Sequence, residues 1–532
     1  MGERLFAGLD VSTQSCKLVV IDLDAGAVVH VDRVAYDDDL PSYGTRDGVI
    51  ADAPEGVSES EPGMWIEAVE LVLGRLDSSP IAQDRVRAIA VSGQQHGLVA
   101  IDGEGRLARR TAKLWNDYST VEECEILTEE VGGLAAMIAE VGNSQRPGYT
   151  AGKIFHMARH EPEAYAAAET LFVVKDYINW WLTGGPAGGV RILEPGDTSG
   201  TALWNPATGR WSERVMKAID PGLATKLPEV GVSDRPIGRL SEGLATTFEM
   251  SPDCLIAPGS GDNMCAAIGT GNVVGGLVTV SLGTSGTACT VLDEPFVDPL
   301  GEIASYRDAL GGYLPLLCVS NLANGYNEFL RLHGFDHADF TALVEGTPPG
   351  NHGRILVPWF GGERTPDVPR GAPAWFGFGL GDFTPPTLAR AVLEGHVLNL
   401  QAGFERMPID CTGGEIRLTG GLSQSDAWCR TIANVFDAEV VPVRGEGAAL
   451  GAALSAAWVW LREQRTPVPI TELVEPFVEL DEARRARPDG EHRETSRRLR
   501  ELFAALTARL RGEPGADPFE LRAALVAAAS AR

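Results

Sequence analysis

The chain of 532 residues carries a formal net charge of −28, and 44% of its residues are hydrophobic. A negative charge this uniform repels phosphodiester backbones, which excludes nucleic acid as an expected partner. The sequence has no run of about 18 apolar residues, so no membrane span is expected, and its length predicts two large lobes. No signal sequence is visible and the eight cysteines lack metal-ligand spacing, so a cytoplasmic location is expected.

The first predicted element is a β-hairpin over residues 5–22, in which two apolar runs flank a turn of small hydroxyl residues. This turn contains Thr13 and presents backbone N–H groups and hydroxyls to an anion, so it is a candidate phosphate site, with a plain tight turn as the alternative. Asp10 ends the first strand, where its carboxylate is placed to hold Mg²⁺. The other interpretation of Asp10 is a hydrogen bond to its own turn.

A buried strand is predicted over residues 86–91, and it leads directly into Gln95 and His96. Polar groups at the carboxyl end of a strand can hydrogen-bond a polyol, although a lone histidine is more often structural. Trp115 follows a second apolar segment and could form the wall of a sugar pocket or simply end a strand. These three residues are therefore candidates for contact with a polyhydroxylated ligand.

Residues 257–267 give the sharpest local pattern, in which an apolar strand enters a glycine-rich turn and a helix of small residues leaves it. Asp262 is predicted at or near the N-terminus of that helix. As a helix cap it would contribute about 1 kcal/mol to stability. As a general base it would accept the proton of an attacking hydroxyl, the one carboxylate that phosphoryl transfer requires.

The opening pattern recurs over residues 278–292, where a strand, a small polar turn and a strand follow one another. Gly283, Thr284, Ser285 and Gly286 form this second turn, so the sequence predicts a duplicated architecture with one phosphate turn in each lobe. There is no lysine after Lys226. The C-terminal half must therefore bind phosphate without an ammonium group.

The segment from residue 415 to residue 453 has βαβα order, which predicts a mixed sheet with parallel parts. Gly420 and Gly421 lie between its first strand and the following helix. Glycines there allow the backbone to approach a flat ligand such as adenine, or simply make a tight turn. Neither a Walker A loop nor a dinucleotide fingerprint is present.

Together these segments resemble the FGGY family of carbohydrate kinases, in matching order from about residue 5 to about residue 480. The matching segments are 10–13, 92–97, 114–117, 148–153, 175–177, 197–201, 261–263, 281–286, 362–366 and 420–421. The sugar-side segments are most similar to those of family members that phosphorylate xylulose. Any one match is unspecific, but ten in order are not expected by chance.

The resemblance implies an α/β fold of two actin/hexokinase-like (ribonuclease H-like) lobes with a central cleft. It divides the chain into a sugar-binding lobe over 1–265 that carries the catalytic base, an ATP-binding lobe over 266–480 and a helical extension over 481–532. Asp262 is then the catalytic base and Asp10 the Mg²⁺ residue. Sugar contacts fall to Gln95, His96, Trp115, Asp262 and Asn263, and ATP contacts to Thr13, Gly283, Thr284, Ser285, Gly286, Gly420 and Gly421.

The expected activity is ATP-dependent phosphorylation of a sugar hydroxyl, with D-xylulose converted to D-xylulose 5-phosphate. One alternative is another sugar or polyol kinase of the same family, for ribulose, gluconate or glycerol. The other is a non-enzymatic ATP switch related to actin, which would not need Gln95 and His96 after a strand. The expected partner is a small sugar, and the chain is expected to be a monomer or a homodimer.

Overall fold

The computed structural model describes residues 4–445 and 447–530. Within them the strands, in chain order, are β1 (Leu5–Val11), β2 (Ser15–Asp22), β3 (Ala27–Ala35), β4 (Thr45–Arg46), β5 (Val49–Ile50), β6 (Glu59–Ser60), β7 (Val86–Gly93), β8 (Val99–Ile101), β9 (Ala112–Lys113), β10 (Thr170–Phe172), β11 (Ile192–Leu193), β12 (Trp204–Asn205), β13 (Arg210–Trp211), β14 (Glu229–Val230), β15 (Gly238–Arg239), β16 (Leu255–Ile256), β17 (Ser260–Gly261), β18 (Val278–Leu282), β19 (Gly286–Thr290), β20 (Leu316–Val319), β21 (Ile355–Val357), β22 (Ala374–Phe376), β23 (Glu415–Thr419), β24 (Glu439–Arg444) and β25 (Glu479–Leu480).

The α-helices of the same residues are α1 (Tyr36–Asp39), α2 (Pro62–Gly74), α3 (Val121–Glu130), α4 (Leu134–Val141), α5 (Thr150–His160), α6 (Pro162–Ala167), α7 (Val174–Leu182), α8 (Pro195–Thr198), α9 (Glu213–Ile219), α10 (Glu242–Thr247), α11 (Asp262–Gly269), α12 (Asn324–His333), α13 (His337–Glu345), α14 (Pro385–Phe404), α15 (Asp426–Phe436), α16 (Gly447–Glu463), α17 (Ile470–Val474), α18 (Arg493–Leu510) and α19 (Pro518–Ser530). None of these helices combines the length and the apolar character that a bilayer crossing requires.

The first of two units is assembled from three stretches of the chain: 1–273, 292–314 and 445–478. Its main sheet has the strand order β15-β16-β7-β1-β2-β3, and β17 also pairs with β7. Strand β1 pairs antiparallel with β2 and parallel with β7. Its apolar side chains are buried along nearly its whole length, as expected for a central strand covered on both faces.

Helix α16 belongs to this first unit, although it lies far along the chain, and it packs on β1 and β7. The contact is close because β1 carries Gly8 in its middle. A Cβ atom at Gly8 would stand 2.1 Å from the carbonyl oxygen of Ala449 and 2.3 Å from the backbone nitrogen of Ala453. Only glycine permits a helix to approach the strand so closely.

The second unit comprises 274–291, 315–444 and 479–532. Its main sheet has the order β20-β19-β18-β23-β24-β25. Strand β18 pairs antiparallel with β19 and parallel with β23, and β23 pairs parallel with β24. Helix α14 is almost wholly buried, and α18 packs on α14 and α15.

The two sheets share one topology, because β3-β2-β1-β7-β16-β15 and β20-β19-β18-β23-β24-β25 have the same sequence of antiparallel and parallel pairings. Each begins with a hairpin whose turn holds small hydroxyl residues. The structure therefore confirms the duplicated α/β architecture and the mixed sheet that the sequence predicts.

Residues 37–62 differ from the surface loop that their acidic, Pro- and Gly-rich composition suggests. They contain short pieces of structure, and Leu40 and Ser60 are buried. Strand β6 pairs with β9, about 50 residues away along the chain. Local composition could not indicate β6 because its partner strand is distant in sequence, whereas β4 and β5 pair with each other within the segment.

Candidate active site

The carboxyl ends of three neighbouring strands bring the predicted residues of the first unit together. Asp10 on β1 and Ser260 on β17 are both in register with Ser92 on β7, which lies between them. The hydroxyl of Ser92 donates a hydrogen bond of 2.8 Å to Oδ1 of Asp10. Ligands of α/β proteins commonly bind at this edge of a sheet, so the position of these residues fits a binding site.

Asp262 is the first residue of α11. The N-cap residue is Gly261, which has no side chain to make a capping hydrogen bond. The Oδ1 atom of Asp262 instead accepts hydrogen bonds from the backbone nitrogen of Asn263 at 2.7 Å and from Nδ2 of Asn263 at 2.9 Å. Burial, followed by the negative charge of Asp10, raises the pKa of Asp262 to about 7. A carboxyl group with that pKa is suited to accept a proton at neutral pH.

Asn263 and Gln95 are joined across the site, since Nδ2 of Asn263 donates to Oε1 of Gln95 at 3.1 Å. Gln95 is 4% exposed, and its Nε2 has no hydrogen-bond partner among the described residues. A buried donor without a partner costs about 1–3 kcal/mol. A ligand oxygen would remove that cost, so Gln95 presents an unused donor beside Asp262.

His96 follows Gln95 with a left-handed backbone, φ 68°. Its Nδ1 lies 2.8 Å from the carbonyl oxygen of Gly200, and its ring packs on Tyr149 with centroids 4.8 Å apart. The carbonyl oxygen of His96 accepts hydrogen bonds from Nζ of Lys153 at 2.8 Å and from Oγ1 of Thr150 at 3.1 Å. The first turns of α5 therefore fix the position of His96.

Thr13 and Trp115 are in direct contact, because Nε1 of Trp115 donates to Oγ1 of Thr13 at 3.0 Å. Oγ1 of Thr13 in turn lies 3.3 Å from Oε1 of Gln94. Thr13 and Trp115 line a cavity of about 700 Å³ in the first unit, together with Arg33 and Arg46. The predicted phosphate turn and the predicted sugar wall thus belong to one polar network.

The second unit has an equivalent edge. Ser281 on β18 is in register with Thr419 on β23, so the turn at 283–285 and Gly420 leave the sheet at the carboxyl ends of adjacent parallel strands. Thr284, Ser285, Gly420 and Gly421 are exposed, which leaves their backbone groups open to a ligand.

Gly420 has a φ of 85°, and a Cβ there would stand 2.5 Å from the carbonyl oxygen of Leu282. Gly420 is therefore required by the close approach of β18 and β23, whereas nothing lies within 4 Å of a Cβ built at Gly421. The carbonyl oxygen of Thr284 accepts hydrogen bonds from the backbone of Leu322 and Ala323, each at 3.1 Å. The backbone of residues 322–323 thus holds the turn in place, while the turn's exposed residues remain accessible to a ligand.

Two buried ionisable groups near the first-unit site were not predicted. Lys153 is fully buried, and burial lowers its pKa to about 7. Asp197 is also fully buried, neither of its carboxyl oxygens has a hydrogen-bond partner among the described residues, and burial raises its pKa well above the usual value. Both lie in segments that match the family, at 148–153 and 197–201, and this match was the available signal.

The family comparisons agree with this geometry. The N-terminal domain of the FGGY family of carbohydrate kinases matches residues 5–269, and the C-terminal domain of the same family matches residues 278–460. The xylulose kinase of Haemophilus influenzae is 32% identical over 494 residues, 91% of this chain and 96% of that protein. The xylulose kinase of Streptomyces rubiginosus is 32% identical over 485 residues, 88% of this chain and 93% of that protein.

Solved structures give the same result for the fold. The xylulose kinase from Bifidobacterium adolescentis has a TM-score of 0.77 at 26% identity and covers 93% of this chain and 99% of that one. The xylulose kinase from Rhodospirillum rubrum has a TM-score of 0.84 at 24% identity and covers 96% of this chain and 99% of that one. These matches confirm the predicted actin/hexokinase-like fold class. With both family domains matched in order, the chain belongs to the FGGY family of carbohydrate kinases.

Proposed function

We propose that the chain transfers the γ-phosphoryl group of ATP to the C5 hydroxyl of D-xylulose, giving D-xylulose 5-phosphate and ADP. The relatives at 32% identity over most of the chain are xylulose kinases, which supports this substrate. The observation that carries the proposal is the setting of Asp262. It combines a pKa raised to about 7 with a hydrogen-bonded Asn263 and a neighbouring unpartnered donor on Gln95.

In the proposed step, Asp262 accepts the proton of the C5 hydroxyl as its oxygen attacks the γ-phosphorus atom. The bond between the γ-phosphorus and the bridging oxygen breaks, and that oxygen leaves on ADP. Asn263, Gln95 and His96 orient the sugar, and Trp115 forms one wall of its site. Positioning of this kind supplies much of the rate in phosphoryl transfer, because the reaction needs little covalent help from the protein.

The residues at the end of β1 fit a Mg²⁺ ion. Burial raises the pKa of Asp10, and Asp262 adds a second carboxyl group nearby. Hard oxygen donors with excess negative charge are the ligands that Mg²⁺ prefers. Asp10 would hold the ion, with Ser92 fixing its carboxylate. When bound, Mg²⁺ supplies positive charge that neutralises the phosphate oxygens.

ATP is proposed to bind through backbone groups in the second unit. The turn that contains Gly283, Thr284, Ser285 and Gly286 would hold phosphate, and Gly420 and Gly421 would face the nucleotide. Thr13 would add a hydroxyl contact from the first phosphate turn. The absence of lysine after Lys226 supports this assignment, because a turn of successive N–H groups binds an anion without an ammonium group.

The proposed division is a sugar lobe over 1–265, an ATP lobe over 266–480 and a helical extension over 481–532. Of these residues, 292–314 and 445–478 belong to the first structural unit. A cytoplasmic location is also proposed, since all eight cysteines lie within the described residues and are free thiols, as in reducing compartments. The proposed state is a monomer or a homodimer.

A coupled ADP-release assay tests the substrate assignment. Purified protein with Mg²⁺ and ATP is offered D-xylulose, ribulose, gluconate and glycerol in turn. The proposal expects the highest kcat/KM with D-xylulose. A higher kcat/KM with any of the other three would refute the sugar and leave the kinase class intact, whereas ADP release that no sugar stimulates would refute the kinase activity itself.

A further inference from the structure

The first unit contains a cluster of possible metal ligands that the proposed reaction does not use. Glu123 lies on α3, and His156 and His160 lie on α5, which packs against α3. The two histidines are four residues apart, so they share one face of their helix. One ligand atom from each of the three side chains lies within 4.8 Å of the others.

Within the cluster, one histidine is hydrogen-bonded to the carboxylate and the other stands slightly apart from it. Nε2 of His160 is 2.9 Å from Oε1 of Glu123, and Nδ1 of His156 is 3.6 Å from Oε2 of the same carboxylate. The second distance is too long for a hydrogen bond. Nδ1 of His156 is accordingly a buried ring nitrogen with no hydrogen-bond partner among the described residues. The two imidazole rings are neighbours, with centroids 4.6 Å apart and planes inclined at 43°.

We propose that Glu123, His156 and His160 bind one Zn²⁺ ion that joins α3 to α5. Two imidazoles and one carboxylate are a ligand set that Zn²⁺ takes in proteins, and three protein ligands leave one position open to water. Because neither a thiolate nor a cluster of carboxylates is present, the set favours Zn²⁺ or Ni²⁺ over Mg²⁺. This site is separate from the Mg²⁺ residue Asp10.

One cation beside the cluster competes with an ion for Glu123. Against the ion, Nη1 of Arg159 donates to Oε1 of Glu123 at 2.8 Å. The guanidinium already reaches Glu122 as well, also at 2.8 Å. Arg159 can therefore release Glu123 and keep an ion-pair partner.

The position of the site connects it to the sugar residues. Helix α5 runs from Thr150 to His160, about 15 Å at 1.5 Å per residue. Its first turns hold the backbone of His96 through Thr150 and Lys153. An ion at the last turn would fix the other end of the same helix against α3. The predicted role is therefore to stabilise the helix pair that supports His96.

The test is a Zn²⁺ titration of tag-free, chelator-treated protein by calorimetry, in excess Mg²⁺ so that sites made of oxygen ligands are occupied. The wild type is expected to bind one Zn²⁺ per chain and to melt at a higher temperature with Zn²⁺ than without it. His156→Gln and the more exposed His160→Gln should each weaken binding by about tenfold or more. Arg159→Met should strengthen binding, because it removes the competing cation.

His333→Gln is the matched control, because His333 is an exposed helical histidine outside the cluster, and it should leave the affinity unchanged. Circular dichroism establishes that each variant is folded, and His160→Gln keeps the test available if His156→Gln does not fold. The proposal is overturned if neither the wild type nor Arg159→Met binds Zn²⁺. It is equally overturned if the wild type, His156→Gln and His160→Gln bind the ion with the same affinity.

Discussion

Asp10 and Asp262 stand on either side of β7, Asp10 near the end of β1 and Asp262 directly after β17, and burial followed by the charge of Asp10 raises the pKa of Asp262. Burial is the larger cause of the shift, and it acts on both residues. Asp262 is thus partly protonated at neutral pH, because it is buried and because Asp10 lies nearby. This relationship determines how the rate should depend on pH.

The pH profile of kcat/KM should have an acidic limb controlled by Asp262. A general base works as the carboxylate, so activity should fall about tenfold per pH unit below the pKa of about 7 and level off above it. Initial rates with subsaturating sugar across the acidic and neutral range measure this. A profile that stays flat well below neutrality would show that the rate does not depend on this proton acceptor.

Asp262→Asn should fold and bind ATP but lose about 10²- to 10⁴-fold in kcat. Asparagine keeps an oxygen for the two hydrogen bonds from Asn263 but cannot take the proton. The folded-state pKa of Asp262 is raised, so its favourable contribution to stability is lost as pH rises from about 4 to about 7. The neutral variant should therefore melt at or above the wild-type temperature at neutral pH. If a well-folded variant keeps more than about a tenth of wild-type kcat, Asp262 is structural.

Asp10→Asn should lower turnover by about 100-fold or more, because Mg²⁺ contributes several kcal/mol through its charge. The substitution also removes the like charge that raises the pKa of Asp262. The residual activity should consequently have its acidic limb at lower pH than the wild type. Rates over a series of Mg²⁺ concentrations and pH values measure both effects. Near-normal kcat at ordinary Mg²⁺ would contradict the metal assignment.

Gly283→Val should weaken ATP binding by about tenfold or more. A Cβ at Gly283 meets only the carbonyl oxygen of Ser285, at 3.3 Å, a tight contact that the turn must relax slightly to admit, and the side chain then stands where the phosphate is proposed to approach. Nucleotide titration gives the affinity. Gly490→Val is the control, since nothing lies within 4 Å of a Cβ there and the residue lies outside the turn. Equal ATP affinity in both variants would show that the turn at residues 283–286 does not bind ATP.

Gln95→Glu should raise KM for the sugar about three- to tenfold, the loss of one hydrogen bond worth about 1 kcal/mol. Glutamate keeps an acceptor for Asn263 and removes the donor that Nε2 of Gln95 offers. KM for ATP should not change. Gln464→Glu, at an exposed position of the same unit, controls for the added charge. If both variants have the wild-type KM for the sugar, Gln95 does not bind it.

Local patterns predicted the parts of the site that single segments determine. The hairpin around Thr13, the strand before Gln95 and the position of Asp262 at the start of a helix each follow from a few neighbouring residues, and the structure has them all. The order of these segments, through the family resemblance, also predicted the two-unit fold. The capping interpretation of Asp262 failed because Gly261 takes the cap position.

Contacts between distant segments could not be predicted in the same way. The Asn263–Gln95 hydrogen bond joins residues 168 positions apart, and Lys153 on α5 reaches the carbonyl of His96, which follows β7. Neither pairing leaves a periodic pattern in the sequence. The orphan donor of Gln95 and the buried acid of Asp197 likewise exist only once the surrounding segments have folded around them.

The packing of α16 on β1 has a consequence for synthesis on the ribosome. The strands from β18 to β24 all precede α16 in the chain, so they are translated before the helix that covers β1 and β7. The nascent first unit therefore presents an apolar sheet face that α16 has yet to cover, a state prone to aggregation. A chain that terminates before Gly447 keeps that face open permanently, so late truncations should be removed by proteolysis as readily as early ones.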